Sequence, residues 1–502
     1  MQSFFEWFRA QAINVHDPWL ILGKGPSFSR RHAHDLNGFQ LLSLNHAVRE
    51  QPVKVAHIID YEVVNHCAEA LTKNAEVLVM PWRPHVNYVP GPQNIAVLAQ
   101  TNSTLRLLNE RGRLAWYNLS TAGEAHKDSP VVRAEFFSAE AALNLLALAG
   151  ARKVRSLGVD GGRAYSLEFD DLKGATLLSG GQASFDLQFK GFARTIHATG
   201  IDYAPLDIDA PVRIYVGTTE AQMLPFKVLE YSIRKHASLS VAVFPLHRAG
   251  IVIPQPVNER NRPRTPFSFQ RFLIPSLAGY SGRAIYLDSD MLVFRDIRQL
   301  WTLPFEGAQL LAARLSGVKG GRRPQFSVML LDCEALRWDI QEIVRALDED
   351  ELSYEQLMFE VTVAERVRAA IDPVWNSLER FRKGETALLH YTDMERQPWL
   401  ARHNPLNRLW TQELFEAIDG GDITCAYVEE QVRAGHIRPS LLRQVKERIA
   451  DSRELDGDAR ALDSLFIAPG AFTGHQDVTL RDRVKSFLKS ISPYSFQAEK
   501  KS

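Results

Sequence analysis

From residue 19 onward, short apolar runs alternate with longer stretches whose apolar positions recur at helical spacing. "WLILGKG", "FQLLSLN", "KVAHIID", "EVLVMP", "RLAWYNLS" and "VRSLGVD" are too short for helices and are predicted as strands. "SAEAALNLLALAGA", residues 138 to 151, carries the helical period instead. Such alternation predicts a mostly parallel sheet covered on both faces. This first unit is expected to end near residue 205. After the proline-containing segment "IDYAPLDIDAP" the pattern begins again. "VRIYVGTTE", "LSVAVFPL", "RAIYLDSDMLVF" and "FSVMLLDCEAL" read as strands, and "MLPFKVLEYSIRKHA", "FSFQRFLIPSLAGY" and "SYEQLMFEVTVAERVRAA" as helices. The expected organisation is α/β, with two Rossmann-like α/β domains over residues 1–205 and 210–410. A mostly helical extension follows over 411–502.

A chain of 502 residues exceeds what one hydrophobic core serves, in keeping with two or three domains. Lys plus Arg number 59, as do Asp plus Glu, so no global field recruits nucleic acid. Cys67, Cys333 and Cys425 lie too far apart in sequence for a cysteine framework. No stretch approaches 18 apolar residues, and "MQSFFEWFRAQAI" lacks the basic start and cleavage site of a signal peptide. These features set the expectation of a cytoplasmic protein.

The apolar run 283 to 294 is interrupted by Asp288 and Asp290. Residues i and i+2 of an extended chain share a face, with a rise of about 6.6 Å between them. Two carboxylates converging at the carboxyl end of a strand repel each other unless a positive charge intervenes. A divalent cation bridging to phosphate oxygens resolves that conflict with hard oxygen ligands. A solvated Asp-Ser-Asp turn is the plainer alternative.

"RFLIPSLAGYSGRAIYLDSDMLVFRDIRQLW", residues 271 to 301, resembles the centre of the retaining GT-A glycosyltransferases related to glycogenin and to bacterial lipopolysaccharide galactosyl- and glucosyltransferases. The resemblance implies that the second domain has the GT-A fold and that Asp288 and Asp290 meet the metal, Mn²⁺ or Mg²⁺, and the nucleotide sugar. It continues in order. "RIYVGTTE" resembles the first strand and loop, implying that Gly217, Thr218 and Thr219 hold base and ribose. "YEQLMF" resembles the family's Asp-Gln-Asp helix start, placing Glu355 and Gln356 near the reacting sugar, although either residue can equally cap that helix. "IDPVWNSL" makes Asn376 a ligand candidate and Trp375 a core ring. "LLHYTDMERQPW" resembles the third metal-binding motif and makes His390 the third ligand.

Three departures accompany the match. Gln325, Phe326 and Ser327 replace the usual Asn-Ser-Gly, Asp393 replaces a glycine, and Gln397 stands where a lysine is expected before Pro398-Trp399. Arg396 and Arg271 are then the candidates for neutralising phosphate. The implied donor is a UDP-linked sugar, transferred with retention.

In the first half, "ILGKGPSFSR" sets a glycine-rich turn after an apolar run. Gly23 and Gly25 permit close backbone approach, and Ser27 with the following amides could hold an anion, with Lys24 adding charge. An ordinary strand–turn–helix connection is the alternative. The loop, Asn45 in "SLNHAV" and "LGVDGGRAY" resemble bacterial sialyltransferase-like and motility accessory factor domains. That resemblance implies binding of a nucleotide or a CMP-linked acidic sugar. His32, His34 and His126 have no catalytic spacing.

Basic clusters at Arg260, Arg262, Arg264 and Arg271 and at Lys319, Arg322 and Arg323 suit the rim of a phosphate or anionic-glycan cleft, or solvated loops. "RDRVKSFLKSI", residues 481 to 491, has an apolar stripe among basic residues that suits either an anionic bilayer surface or packing on the protein. Together these readings favour a bacterial glycosyltransferase of cell-surface polysaccharide or lipopolysaccharide assembly, acting on a glycan or lipid-linked glycan acceptor, in the cytoplasm or at the inner face of the membrane. The alternatives are a bifunctional transferase that also uses a CMP-linked sugar, and a noncatalytic glycan- or nucleotide-binding assembly protein. No feature assigns an oligomeric state.

Overall fold

The computed structural model describes residues 1–469 other than 12, 15, 124, 127–128 and 314–325. The tail at 481–491, Lys319, Arg322, Arg323 and Gln325 lie outside the described residues. The chain divides into two compact units, Met1–Met394 and Glu395–Ser502.

The first unit holds two large sheets. The first contains β1 (Gln2–Ser3), β2 (Trp19–Leu22), β3 (Gln40–Leu44), β4 (Val53–His57) and β5 (Ala75–Pro81). A small hairpin, β6 (His85–Val86) and β7 (Val89–Pro90), precedes β8 (Leu114–Leu119), β9 (Val131–Val132), β10 (Lys153–Leu157) and β11 (Asp202–Pro205). The sheet order is β1-β8-β5-β4-β3-β2-β10-β11, with β9 on β8, and every pairing is parallel. Alternation along the strands fills both faces: Trp19 and Ile21 join one apolar cluster, Leu20 and Leu22 another. That two-sided burial is why these strands are continuous apolar runs.

The second sheet begins with β12 (Val212–Gly217), β13 (Val241–Pro245) and β14 (Arg283–Asp288). After β15 (Met291–Val293) it continues with β16 (Leu310–Ala313), β17 (Val328–Asp332) and β18 (Val367–Ile371). The order β13-β12-β14-β17-β16-β18 is mixed, because β17 runs antiparallel to both neighbours. A third sheet joins β15, β20 (Leu388–His390) and β19 (Ser377–Leu378), in the order β15-β20-β19. The α/β architecture expected from the sequence is thus present, with a parallel Rossmann-like sheet followed by a mixed one. One apolar cluster contains residues of both large sheets, including Tyr203, Ile214 and Ile285.

One expected helix is corrected. Residues 353 to 370 form a single wide turn at Gln356–Glu360, and then β18. Val361 adopts φ 54°, which ends the turn, and Val367–Ile371 pairs parallel with Leu310–Ala313. Sheet pairing across more than fifty positions overrides the local helical spacing.

Within the second unit, helices Asn407–Asp419, Cys425–Arg433 and Pro439–Glu447 match the helical expectation. Arg438, wholly buried, donates from Nε to the Pro398 carbonyl at 3.1 Å and from its backbone N–H to that of Trp399 at 2.9 Å. The Pro-Trp pair is therefore part of this unit's core. No helix among the described residues is long and apolar enough to cross a membrane.

Candidate metal centre

β14 runs apolar to its end, where Asp288, Ser289 and Asp290 turn the chain into β15. β15 pairs antiparallel with β20, setting Met291 opposite His390, and the Tyr391 amide donates to the Asp290 carbonyl at 2.9 Å. This short ladder brings an imidazole from a hundred residues downstream onto the aspartate pair. His390 Nε2 lies 3.1 Å from Asp290 Oδ1 and 3.9 Å from Asp288 Oδ2. One ligand atom from each of the three residues lies within 4.8 Å of the others, and all three side chains are buried.

The surroundings fix each ligand. Tyr286, two residues before Asp288 on the same strand face, donates from its hydroxyl to Asp288 Oδ1 at 2.6 Å. That hydroxyl in turn accepts from Arg271 Nη2 at 3.2 Å. Arg271 is only 7% exposed, donates from Nη1 to the Phe326 carbonyl at 2.8 Å, and stacks its guanidinium 4.6 Å from the Tyr286 ring centre. On the other side, His390 Nδ1 lies 3.1 Å from Asn376 Oδ1. An amide oxygen only accepts, so Nδ1 carries the hydrogen, and Nε2 is the nitrogen that faces the carboxylates and, once deprotonated, the one open to a cation between them.

The electrostatics match a cation site. Burial pushes the Asp288 carboxyl up, against the pull of Arg271 and His390. Burial alone would lower His390, but the Asp290 and Asp288 carboxylates outweigh it, so the imidazole is held above its ordinary value. Two buried carboxylates and an imidazole with its outer nitrogen fixed form a mixed O/N donor set that suits Mn²⁺ or Mg²⁺, the nitrogen favouring Mn²⁺.

Other predicted residues are placed as follows. Gly217 pairs with Asp288 across β12 and β14, and a Cβ there would lie 2.3 Å from the Tyr286 hydroxyl. Its bareness makes room for that tyrosine. Thr218 is buried, and both its backbone groups are taken by the Gln270 amide: N–H to Oε1 at 3.1 Å, and the carbonyl from Nε2 at 3.0 Å. Thr219 Oγ1 lies 3.4 Å from Gln222 Oε1. Gln356 and Ser353 cap one another, Ser353 N–H to Gln356 Oε1 at 2.9 Å and Gln356 N–H to Ser353 Oγ at 3.2 Å. Glu355 pairs with Arg264 at 3.3 Å. Arg396 belongs to the second unit.

In the first sheet the glycine loop packs against the loop after β10. Gly23 and Gly25 donate to the carbonyls of Leu157 and Gly158, both at 2.8 Å. The Ser27 amide donates to Asp160 Oδ2 at 2.7 Å, and its hydroxyl accepts from the Gly158 amide at 2.6 Å. The Gly23, Gly25 and Ser27 amides are therefore engaged within the protein. Asn45 sits at φ 51° with Nδ2 3.4 Å from Ser138 Oγ.

Sequence reasoning missed Tyr286 and Glu379. Glu379 donates its N–H to the His390 carbonyl at 3.0 Å and accepts from the Asp393 amide at 2.9 Å, and burial pushes its carboxyl up. Tyr286 was legible as the i−2 neighbour of Asp288. Glu379 had no signal beyond following Asn376 by three positions.

No protein-family model matches the chain. Protein CDI of Arabidopsis thaliana is 35% identical over 96 residues, 18% of this chain and 37% of that protein. Probable galacturonosyltransferase-like 9 of the same plant is 27% identical over 184 residues, 27% of this chain and 46% of that protein. The chain thus spans less than half the length of these curated relatives. Among solved structures, the bifunctional glycosyltransferase WbbM aligns with 43% of this chain and 51% of its own, at 13% identity and TM-score 0.31. The galactosyltransferase LgtC, with donor and acceptor analogues, aligns with 42% of this chain and 96% of its own, at 15% identity and TM-score 0.30. The glycosyltransferase GlyE of Streptococcus pneumoniae aligns with 42% of this chain and 64% of its own, at 16% identity and TM-score 0.31.

Proposed function

We propose that the protein is a metal-dependent glycosyltransferase that moves a sugar from a nucleoside diphosphate donor, UDP-linked, to a glycan or glycolipid acceptor of the cell surface, with retention at the anomeric carbon. The observation that carries this reading is the buried Asp288, Asp290 and His390 cluster at the carboxyl end of a sheet strand, the usual location of ligand sites in α/β sheets. The plant relative probable galacturonosyltransferase-like 9 supports the same reaction class.

In this reading Asp288, Asp290 and His390 hold Mn²⁺ or Mg²⁺. When bound, the ion supplies charge neutralisation for a diphosphate leaving group. Arg271, whose Nη2 donates to the Tyr286 hydroxyl and lies 3.8 Å from Asp288 Oδ1, is assigned to the positive charge that supplements the metal at the donor phosphates. Asn376 holds the imidazole in the tautomer that leaves Nε2 available. Gly217, Thr218 and Thr219 lie beside this strand end and form the wall for base and ribose, through side chains and shape. Glu355 and Gln356 are assigned to the developing positive charge at the sugar, which requires Gln356 to leave its Ser353 cap when donor binds. Residues 1–205 and 210–410 are assigned as separate ligand-binding domains, the last stretch of the second, from Glu395 on, falling in the second compact unit.

The test is turnover of a panel of UDP- and CMP-sugars by the purified protein with Mn²⁺ or with EDTA. Metal-dependent release of UDP, lost in a folded Asp290→Ala variant, is expected. Binding of donor without turnover on any acceptor would instead make the protein a noncatalytic assembly module. CMP-sugar turnover that survives in that variant would reveal a second activity.

A further inference from the structure

The all-parallel sheet has a topological switch between β2 and β10: from β2 the chain proceeds outward through β3, β4, β5 and β8, while β10 and β11 build the other side. Crevices at such points, outside the carboxyl ends of the strands, are where open α/β sheets bind ligands. Here a cavity of about 460 Å³ occupies that position, lined by residues after β2, β3, β4 and β10. This volume falls within the range of small-molecule sites, ~300–1,000 Å³.

Three observations define what the cavity takes. The first is charge. Lys24 is the one cationic Lys or Arg among the described lining residues, against the carboxyl groups of Asp60, Glu62, Glu135 and Asp160. Lys24 is itself engaged, donating to Thr176 Oγ1 at 3.1 Å and lying 4.3 Å over the Tyr165 ring. With the amides of Gly23, Gly25 and Ser27 also taken, a diphosphate would meet more repulsion than attraction. The second is an apolar wall. Phe137 and Phe185 lie 5.0 Å apart and Phe185 and Tyr165 5.9 Å apart, forming a run of rings along the lining, with Phe136 a further ring in it.

The third is unmet hydrogen-bonding capacity. His46 is 0% exposed and lines the cavity, yet neither ring nitrogen has a hydrogen-bond partner among the described residues. The buried Asn45 Oδ1, also at the cavity, has none either. Leaving buried polar atoms unmet is costly, and a hydroxylated ligand would remove that cost. Burial lowers His46 to about 3, so its ring is neutral and offers one donor and one acceptor.

We infer that this cavity is a second ligand site, independent of the metal centre, and that it takes an uncharged saccharide. The apolar C–H face of a pyranose suits the aromatic wall, while its hydroxyls suit the neutral imidazole, the amide oxygen and the carboxylates of Asp60 and Glu62. A few placed polar groups in an otherwise apolar lining is the general pattern of such sites.

The experiment is saturation-transfer NMR and calorimetry on the full chain in EDTA, so that the metal centre does not contribute. The probes are methyl galactoside, methyl glucoside, methyl xyloside and lactose, with methyl galacturonoside, CMP, UDP and inorganic phosphate as charged comparisons. At least one neutral saccharide is expected to bind, and to bind better than the uronate. Phe136→Ala and Glu62→Gln, both accepted only with an unchanged melting curve, are expected to weaken it fivefold or more. Phe136 is 40% exposed, so its removal leaves the core intact. Absence of binding by every neutral saccharide, binding indifferent to both substitutions, or displacement of the saccharide by CMP, UDP or phosphate would each overturn the inference.

Discussion

His390 Nδ1 meets Asn376 Oδ1 at 3.1 Å, and this contact decides which imidazole nitrogen faces Asp288 and Asp290. A leucine at 376 fills similar space but accepts nothing, so the ring loses its fixed orientation. Outer-shell partners of metal-binding histidines typically contribute 10–100-fold in affinity, and Asn376→Leu is expected to weaken Mn²⁺ by about that factor. Asn376→Asp, which keeps the acceptor, should retain binding. Titration of free Mn²⁺ by EPR distinguishes the two.

Tyr286→Phe removes the hydroxyl that passes a hydrogen bond from Arg271 to Asp288. The carboxylate stays buried and loses its donor, a change that costs about 1–3 kcal/mol. Urea unfolding of the metal-free protein should show that loss, and Mn²⁺ affinity should fall with it.

Gly217→Ala tests the same chain from the neighbouring strand. A Cβ 2.3 Å from the Tyr286 hydroxyl must displace it. The expected outcome is weakened Mn²⁺ binding in a protein whose circular dichroism is unchanged. Unaltered affinity would mean that Tyr286 does not position Asp288.

The pH dependence has a definite sign. Both Asp288 and His390 are raised in the folded protein. The folded state therefore holds protons more tightly than the unfolded chain, and its stability falls as pH rises. For His390 the contribution is complete below about 6.5, its ordinary value, and is lost as pH climbs through the raised folded value. Metal binding displaces protons and runs the other way. Unfolding between pH 6 and 8 should thus show stability declining with pH in EDTA, while the extra stability given by Mn²⁺ grows.

What the sequence revealed follows from how local each signal is. The strands of the first sheet were legible because burial on two faces makes each a continuous apolar run, as in Trp19–Leu22. The aspartate pair stood out because it ends such a run. His390 was placed by motif order, although the ladder from Met291 to His390 that delivers it is a tertiary contact. The Arg271–Tyr286–Asp288 chain was invisible for the same reason. Nothing near the glycine loop in sequence announces Asp160, which engages the Ser27 amide from 133 positions away. Residues 353 to 370 carried helical spacing that β18 pairing and the Val361 backbone overrode.

The most direct measurement is anomalous diffraction at the manganese edge from crystals grown with Mn²⁺ and UDP. One strong peak is expected within coordinating distance of Asp288, Asp290 and His390 Nε2, with diphosphate oxygens completing the shell. A peak elsewhere, with diphosphate beside it and no metal on these three side chains, would contradict that assignment.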